Sequence, residues 1–200
     1  MQQLIVFVRH GESQANVRGI LSDYKDRFPL TREGILQAKT TATELRKLRL
    51  TAIFSSPVLR ARQTAGIISN ELHLPITIDK RLWERRMHSL NGSKSGSGAY
   101  VFESDAKFES TASVYKRTVA FVNDQSADSI VAVAHMVQQQ SLAFKSFGFN
   151  EFTGFPFRPS YASMTILVKN GRKLRIIAAG IPEINSSVLS KIPKRFIAEV

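Results

Sequence analysis

Arg9-His10-Gly11-Glu12-Ser13 follows directly on the apolar run Leu4-Ile5-Val6-Phe7-Val8, which sets an imidazole between a fixed cation and a glycine at a strand end. A neutral imidazole can attack phosphorus, a guanidinium can clamp two phosphate oxygens, and Gly11 lets backbone N–H groups approach closely. The tripeptide alone is equally compatible with a chance turn. Its downstream neighbours add weight. Asn16 comes three residues after Ser13, and Leu30-Thr31 with Gly34 and Gln37-Ala38 opens a segment whose Ile35, Ala38, Ala42, Leu45 and Leu48 fall at helical spacing. Ala52-Ile53-Phe54, a polar Ser55-Ser56-Pro57 turn, then Arg60-Ala61 and Gln63-Thr64-Ala65 repeat the design: short strand, turn, and a helix with an arginine on its first turn. Pro57 suits a helix start. Farther along, Ile130-Val131-Ala132-Val133-Ala134 delivers His135 from a third such strand.

These residues need a scaffold that alternates strand and helix. The patterning predicts strands near 3–8, 52–54, 75–78 and 129–134, and helices near 12–19, 32–48, 58–72, 110–124 and 136–147. This implies an α/β fold with a largely parallel sheet covered on both faces. Ala162 to Val168, Asn170-Gly171 and Lys173 to Ala179 read as a hairpin that extends the sheet. Every motif-bearing strand ends in polar residues, and open α/β sheets place their ligands at that carboxyl edge. Arg9, His10, Arg60 and His135 would therefore converge on one phosphate. Asn91 to Gly98 reads equally well as a lid, within a possible insertion around 85–110, or as a plain linker. The phenylalanine-dense Phe147 to Phe157 stretch reads as packing rather than a cofactor box.

Two hundred residues at 43% hydrophobic content suffice for one sizeable core, so residues 1–200 are expected to form one domain. The apolar runs are too short to span a bilayer and no secretory leader pattern opens the chain, which points to the cytoplasm and to no membrane partner. There is no cysteine, which excludes thiol nucleophiles and thiolate metal sites. His10, His73, His88 and His135 show no metal-ligand spacing, so metal-free chemistry without a cofactor is expected. The net charge is +12, and from Lys169 to Arg195 seven basic residues (Lys169, Arg172, Lys173, Arg175, Lys191, Lys194, Arg195) face Glu183 alone. A solvated basic surface is the leading reading, with a field that helps gather anionic substrates. No aromatic-interleaved signature accompanies it, so nucleic acid is not the expected partner. A small phosphorylated substrate is. The oligomeric state stays open, a homodimer being one alternative.

Taken in order, the motifs resemble the histidine phosphatase superfamily, or phosphoglycerate mutase-like family, over nearly the whole chain. They are R-H-G-E-S-x-x-N, L-T-x-x-G-x-x-Q-A, S-S-P-x-x-R-A-x-Q-T-A, Leu82-Trp83-Glu84, Glu109-Ser110 with Arg117 following, and the strand-borne His135. The resemblance implies a three-layer α/β/α fold with a mostly parallel central sheet. It also implies in-line attack by His10 to form a phosphohistidine, while Arg9, Arg60 and His135 neutralise the equatorial oxygens. Glu84 is then the proton donor to the leaving oxygen and the base for water. The alternatives are a surface glutamate paired with Arg81, Arg85 or Arg86, and Glu109 as the acid. Gly11, Asn16, Ser22, Arg85 and Met136 complete the expected substrate site, while Glu12 is read as a helix N-terminal acid.

Three departures from the family pattern bear on substrate. Met136 stands where glycine usually follows the second histidine, His88 stands where glycine is frequent, and Asp23 replaces a glycine next to Ser22. The leading expectation is a phosphomonoester hydrolase for small phosphorylated metabolites. The runner-up is a cofactor-dependent phosphoglycerate mutase, supported by Leu82-Trp83-Glu84-Arg85 with Leu90 and Gly92. Against it, the mutase's Tyr-Gly and later paired arginines are missing, and Asp23 would repel a carboxylate. A non-catalytic polyanion-binding scaffold is the third reading.

Overall fold

The computed structural model describes residues 2–94, 108–148 and 157–199. Its strands are β1 (Gln2–Arg9), β2 (Ala52–Ser55), β3 (Ile76–Ile78), β4 (Ser129–Ala134), β5 (Met164–Asn170) and β6 (Lys173–Ile181). Its helices are α1 (Gln14–Val17), α2 (Arg32–Leu45), α3 (Leu59–Leu72), α4 (Thr111–Asn123), α5 (Met136–Ser146) and α6 (Ser186–Leu189). The six strands form one sheet in the order β3-β2-β4-β1-β5-β6. β3, β2, β4 and β1 run parallel, and the β5–β6 hairpin adds two strands, β5 antiparallel to β1.

Alternation along β1 shows why the architecture has three layers. Leu4, Val6 and Val8 join a core with Ala42 and Leu45 of α2 and Ala61, Ala65 and Ile68 of α3. Ile5 and Phe7 point the other way, into a core with Phe121 and Val122 of α4 and Leu142 of α5. A stretch of strand buried on both faces must be apolar, as residues 4–8 of β1 and 130–134 of β4 are. Each such Val, Leu or Ile contributes roughly 1.5–3 kcal/mol of burial.

Side chains cap the starts of both α2 and α4. Thr31 accepts from the Gly34 N–H to cap α2, and Ser110 accepts from the Ser113 N–H to cap α4. Several boundaries differ from the sequence reading, among them the end of α2 at Leu45 instead of residue 48. The helix expected over 12–19 shrinks to one turn between the Ser13 cap and Gly19, whose φ of 60° leaves the helical region. β3 begins at Ile76 rather than Pro75. Pro57 lies one residue before Val58, the N-cap of α3, instead of opening the helix.

Residues 95–98 of the expected lid and 149–156 of the phenylalanine-dense stretch lie outside the described residues. Residues 91–94 are pinned: Gly92 N–H donates to Leu21 O, Leu21 N–H donates to Ser93 O, and Ile20 bridges Lys94. Among the described residues, no helix is long and apolar enough to cross a membrane.

Candidate active site

β1 and β4 pair in register with Arg9 opposite Ala134, so both strands release their chains at the same edge. His10 and His135 are the next residues, with ring centroids 5.1 Å apart. Beside them, Ser56 N–H donates to Val133 O, which fixes the turn that launches α3 and aims Arg60 back at the histidines. The apolar strands are the cause of the convergence: burial sets their register, and the polar residues come next in the chain.

His10 Nδ1 lies 2.7 Å from Gly11 O, so Nδ1 carries the proton and Nε2 keeps the lone pair. Arg60 Nε donates to that Nε2 at 3.0 Å. Burial first, then the charges of Arg60, His135 and Arg9, hold the His10 imidazole well below its ordinary value, outweighing the Gly11 carbonyl. The ring is thus held neutral. Arg60 Nη2 donates to Glu84 Oε2 at 3.1 Å and to Ser22 O at 2.9 Å, whereas its Nη1 is buried and makes no hydrogen bond to the described residues. That orphan donor is where an anion would be satisfied.

Glu84 is 9% exposed and pairs with Arg60 and His135, whose Nδ1 lies 3.1 Å from Oε2. It is therefore not the surface glutamate paired with Arg81, Arg85 or Arg86. Burial alone would raise its carboxyl, but the His135 and Arg60 partners win and leave it well below the usual carboxylate range. His135 Nε2 meets Ser56 Oγ at 2.9 Å. One donor atom from each of His10, Glu84 and His135 lies within 4.8 Å of the others, a set that could hold a metal. Here the Arg60 guanidinium sits among them, bonded to His10 and Glu84 and 3.5 Å from His135 Nδ1, so a cation already fills that space.

Several of the expected site residues make contacts within the fold itself. Gly11 N–H donates to Thr64 Oγ1, and a methyl group on Gly11 would stand 2.3 Å from Gly34 O. Close packing of α2, not an open backbone cradle, demands this glycine. Asn16 Oδ1 accepts from Ser13 N–H and Oγ as a local cap. Ser22 contributes its carbonyl to Arg60, and its hydroxyl accepts from Tyr24 N–H. Glu12 serves α2 rather than α1, accepting from Thr31 Oγ1 at 2.7 Å. Arg85 Nε donates to Glu109 O, and Met136 opens α5, half-buried beside His135. Arg9 Nη1 donates to Pro159 O, and its guanidinium lies 4.1 Å from the Tyr161 ring.

Glu109 is locked by Arg117, which donates to both of its carboxylate oxygens and to the carbonyls of Arg81 and Glu84. Burial raises the Glu109 carboxyl, but the Arg117 bonds more than reverse it. Asp23 is buried, 3.6 Å from Arg86, and accepts from Met87 N–H. His88 takes φ 40°, the left-handed region that favours the glycine expected there. Among the basic residues of the C-terminal segment, Lys169 of β5 is itself buried and donates to Val122 O. The 170–173 turn and Arg195 both lie beside Gln2, Asn170 by strand pairing and Arg195 by donating to Gln2 O. That is the far end of β1 from His10, so these charges do not line the pocket.

Ser56, Thr64, Gln138 and Tyr161 had no assigned role in the sequence reading. Ser56 and Thr64 sat inside quoted motifs, and only the fold showed what they touch. Gln138 could have been flagged: three consecutive amides, Gln138-Gln139-Gln140, come soon after a buried strand and must find partners. Gln138 donates to Trp83 O, beside Glu84, at 2.6 Å. Tyr161 carries no periodic signal at all.

The sequence profile of the histidine phosphatase superfamily (branch 1) matches residues 5–181. The chain is similar to the 2,3-bisphosphoglycerate-dependent phosphoglycerate mutase of Thermoplasma acidophilum, 31% identical over 192 residues that cover 90% of this chain and 95% of that one. Among solved structures, YhfR of Bacillus stearothermophilus superposes with a TM-score of 0.80 at 22% identity, covering 93% of this chain and 99% of its own. The alpha-ribazole phosphatase of Shigella flexneri does so at 0.76 and 22%, covering 92% and 98%. At these identities the two structures speak for the fold.

Proposed function

The chain belongs to the histidine phosphatase superfamily, branch 1, and from that premise we propose that it is a metal-independent phosphomonoesterase acting on small phosphorylated metabolites in the cytoplasm. One observation carries the reading: the His10 Nε2 lone pair, its tautomer set by Gly11 O, lies 3.0 Å from a buried arginine with a donor to spare.

A phosphate dianion draws Arg60 away from His10 and Glu84, because two charges on the substrate outbid one carboxylate. His10 Nε2 then attacks phosphorus in line as the ester P–O bond breaks. Arg60, Arg9 and the His135 Nδ1–H meet the equatorial oxygens, and Gly11 O supports the positive imidazole ring. Glu84, relieved of Arg60 and beside an anion, takes up a proton and passes it to the leaving oxygen. In the second half Glu84 accepts a proton from water, the water oxygen attacks phosphorus, and the P–N bond returns its electron pair to His10.

A mutase remains the second reading, favoured by the likeness to the Thermoplasma acidophilum enzyme over most of both chains. Against it stands the buried Asp23 carboxylate, close enough to Arg60 to act on its charge. The deciding experiment incubates the purified protein, in chelator, with a panel of phosphomonoesters that includes both phosphoglycerates. Free phosphate as the main product supports the hydrolase; isomerised phosphoglycerate without phosphate release overturns it.

A further inference from the structure

We propose that Ser56 is a positioning residue that holds His135 as the neutral tautomer with its proton on Nδ1, so that a donor faces Glu84 and the phosphate site. Both side chains are completely buried. β2 and β4 are neighbours with Ser55 paired to Val133, and Ser56 N–H continues that ladder by donating to Val133 O at 2.9 Å. This brings Ser56 Oγ to 2.9 Å from His135 Nε2. The hydroxyl accepts from Val58 N–H with one lone pair and has Nε2 within reach of its own proton, while the Glu84 carboxylate that faces Nδ1 can only accept. An Nε2 that accepts leaves the ring proton on Nδ1, 3.1 Å from Glu84 Oε2.

The charged and titratable groups around this ring are Glu84, Arg60, His10 and Arg117. Burial, Arg60 and Arg117 oppose an imidazolium here, and Glu84 alone favours one. Tautomer choice matters more than charge. A proton on Nδ1 gives the phosphoryl oxygens a hydrogen-bond donor, whereas the other tautomer would turn a lone pair toward an anion. The catalytic value of this arrangement rests on the proposed phosphatase reaction; the tautomer itself does not.

The test is a long-range nitrogen–proton correlation spectrum of the ¹⁵N-histidine-labelled protein, with kcat and KM for p-nitrophenyl phosphate measured on the same samples. Wild type and Ser56→Thr, which keeps the hydroxyl, should show His135 protonated on Nδ1 with Nε2 free. Ser56→Ala should show mixed tautomers or a protonated ring, with kcat lowered about tenfold as for other outer-shell histidine partners. A wild-type His135 protonated on Nε2, or an unchanged pattern in Ser56→Ala, overturns the proposal. Should Ser56→Ala not fold, the wild-type and Ser56→Thr spectra decide. The expected spectra without any phosphate release would sink the phosphatase reading and leave the tautomer assignment standing.

Discussion

Arg60 Nε donates to His10 Nε2 at 3.0 Å, so the guanidinium that would clamp the substrate rests on the lone pair that would attack it. Substrate must therefore compete for Arg60 before chemistry starts. The arrangement keeps a buried cation, a buried carboxylate and a buried imidazole mutually satisfied while the pocket is empty.

His10→Ala should abolish turnover and remove an acid-labile, base-stable phosphoenzyme formed by the wild type, since covalent catalysis needs the nucleophile itself. Trapping with ³²P-labelled substrate measures it. Substantial phosphate release from a clean variant preparation would remove His10 from this role.

Arg60→Ala and Arg9→Ala should each lower kcat/KM by about 2–4 kcal/mol of transition-state stabilisation, the scale of a single electrostatic donor. Arg62→Ala is the control. Arg62 pairs at the surface with Asp26, and its loss should change kcat/KM little. Equal effects at positions 60 and 62 would show that the wrong arginine has been placed in the pocket.

Glu84→Gln should slow phosphoenzyme formation from alkyl phosphates far more than from p-nitrophenyl phosphate, because nitrophenolate leaves without a proton. Single-turnover measurements are needed, since Glu84 also serves the water step. Glu109→Gln is the paired variant, and its bidentate bond to Arg117 makes a leaving-group-independent defect the expected result. A leaving-group-dependent defect at Glu109 alone would move the general acid there.

The pH dependence reflects the depressed His10. An imidazole at its ordinary value of about 6.5 would be roughly 97% protonated at pH 5 and about thirtyfold slower. Phosphoenzyme formation from p-nitrophenyl phosphate should instead fall far less than that between pH 7 and 5, while alkyl phosphates slow as pH rises, because Glu84 in the substrate complex then takes up its proton less readily. Because His10 and His135 are both lowered by burial, the unfolded chain binds more protons than the folded one below about pH 6.5. Stability is thus full above that value and declines as pH falls, which thermal melts would record.

Gly34→Ala should be strongly destabilising, because its methyl group would stand 2.0 Å from Glu12 O. Gly11→Ala should cost at least the roughly 1–3 kcal/mol of an overpacked core. Gly66→Ala, in α3 with no described atom beyond its own stretch of helix within 4 Å of the new methyl, should be neutral or gain about 0.5–1 kcal/mol. Urea titration gives all three values, and a stable Gly34→Ala would contradict the backbone contact between α2 and the His10 loop.

The apolar runs, their spacing and the turn residues determined the architecture, because burial on two faces and on one face leave different patterns that local sequence carries. The same runs carried His10, Arg60 and His135 to a common edge. Which atoms then meet was decided by tertiary structure: Gly11 against Gly34, Ser22 through its carbonyl, Glu109 consumed by Arg117, and Ser56 against His135. Even Glu109 and Arg117, 8 positions apart, meet across the start of α4, and Ser56 reaches His135, 79 positions away, only because β2 pairs with β4. No periodicity encodes such pairings. The charge state of Glu84 belongs to the same class, since a carboxylate's ionisation depends on the partners that burial forces upon it.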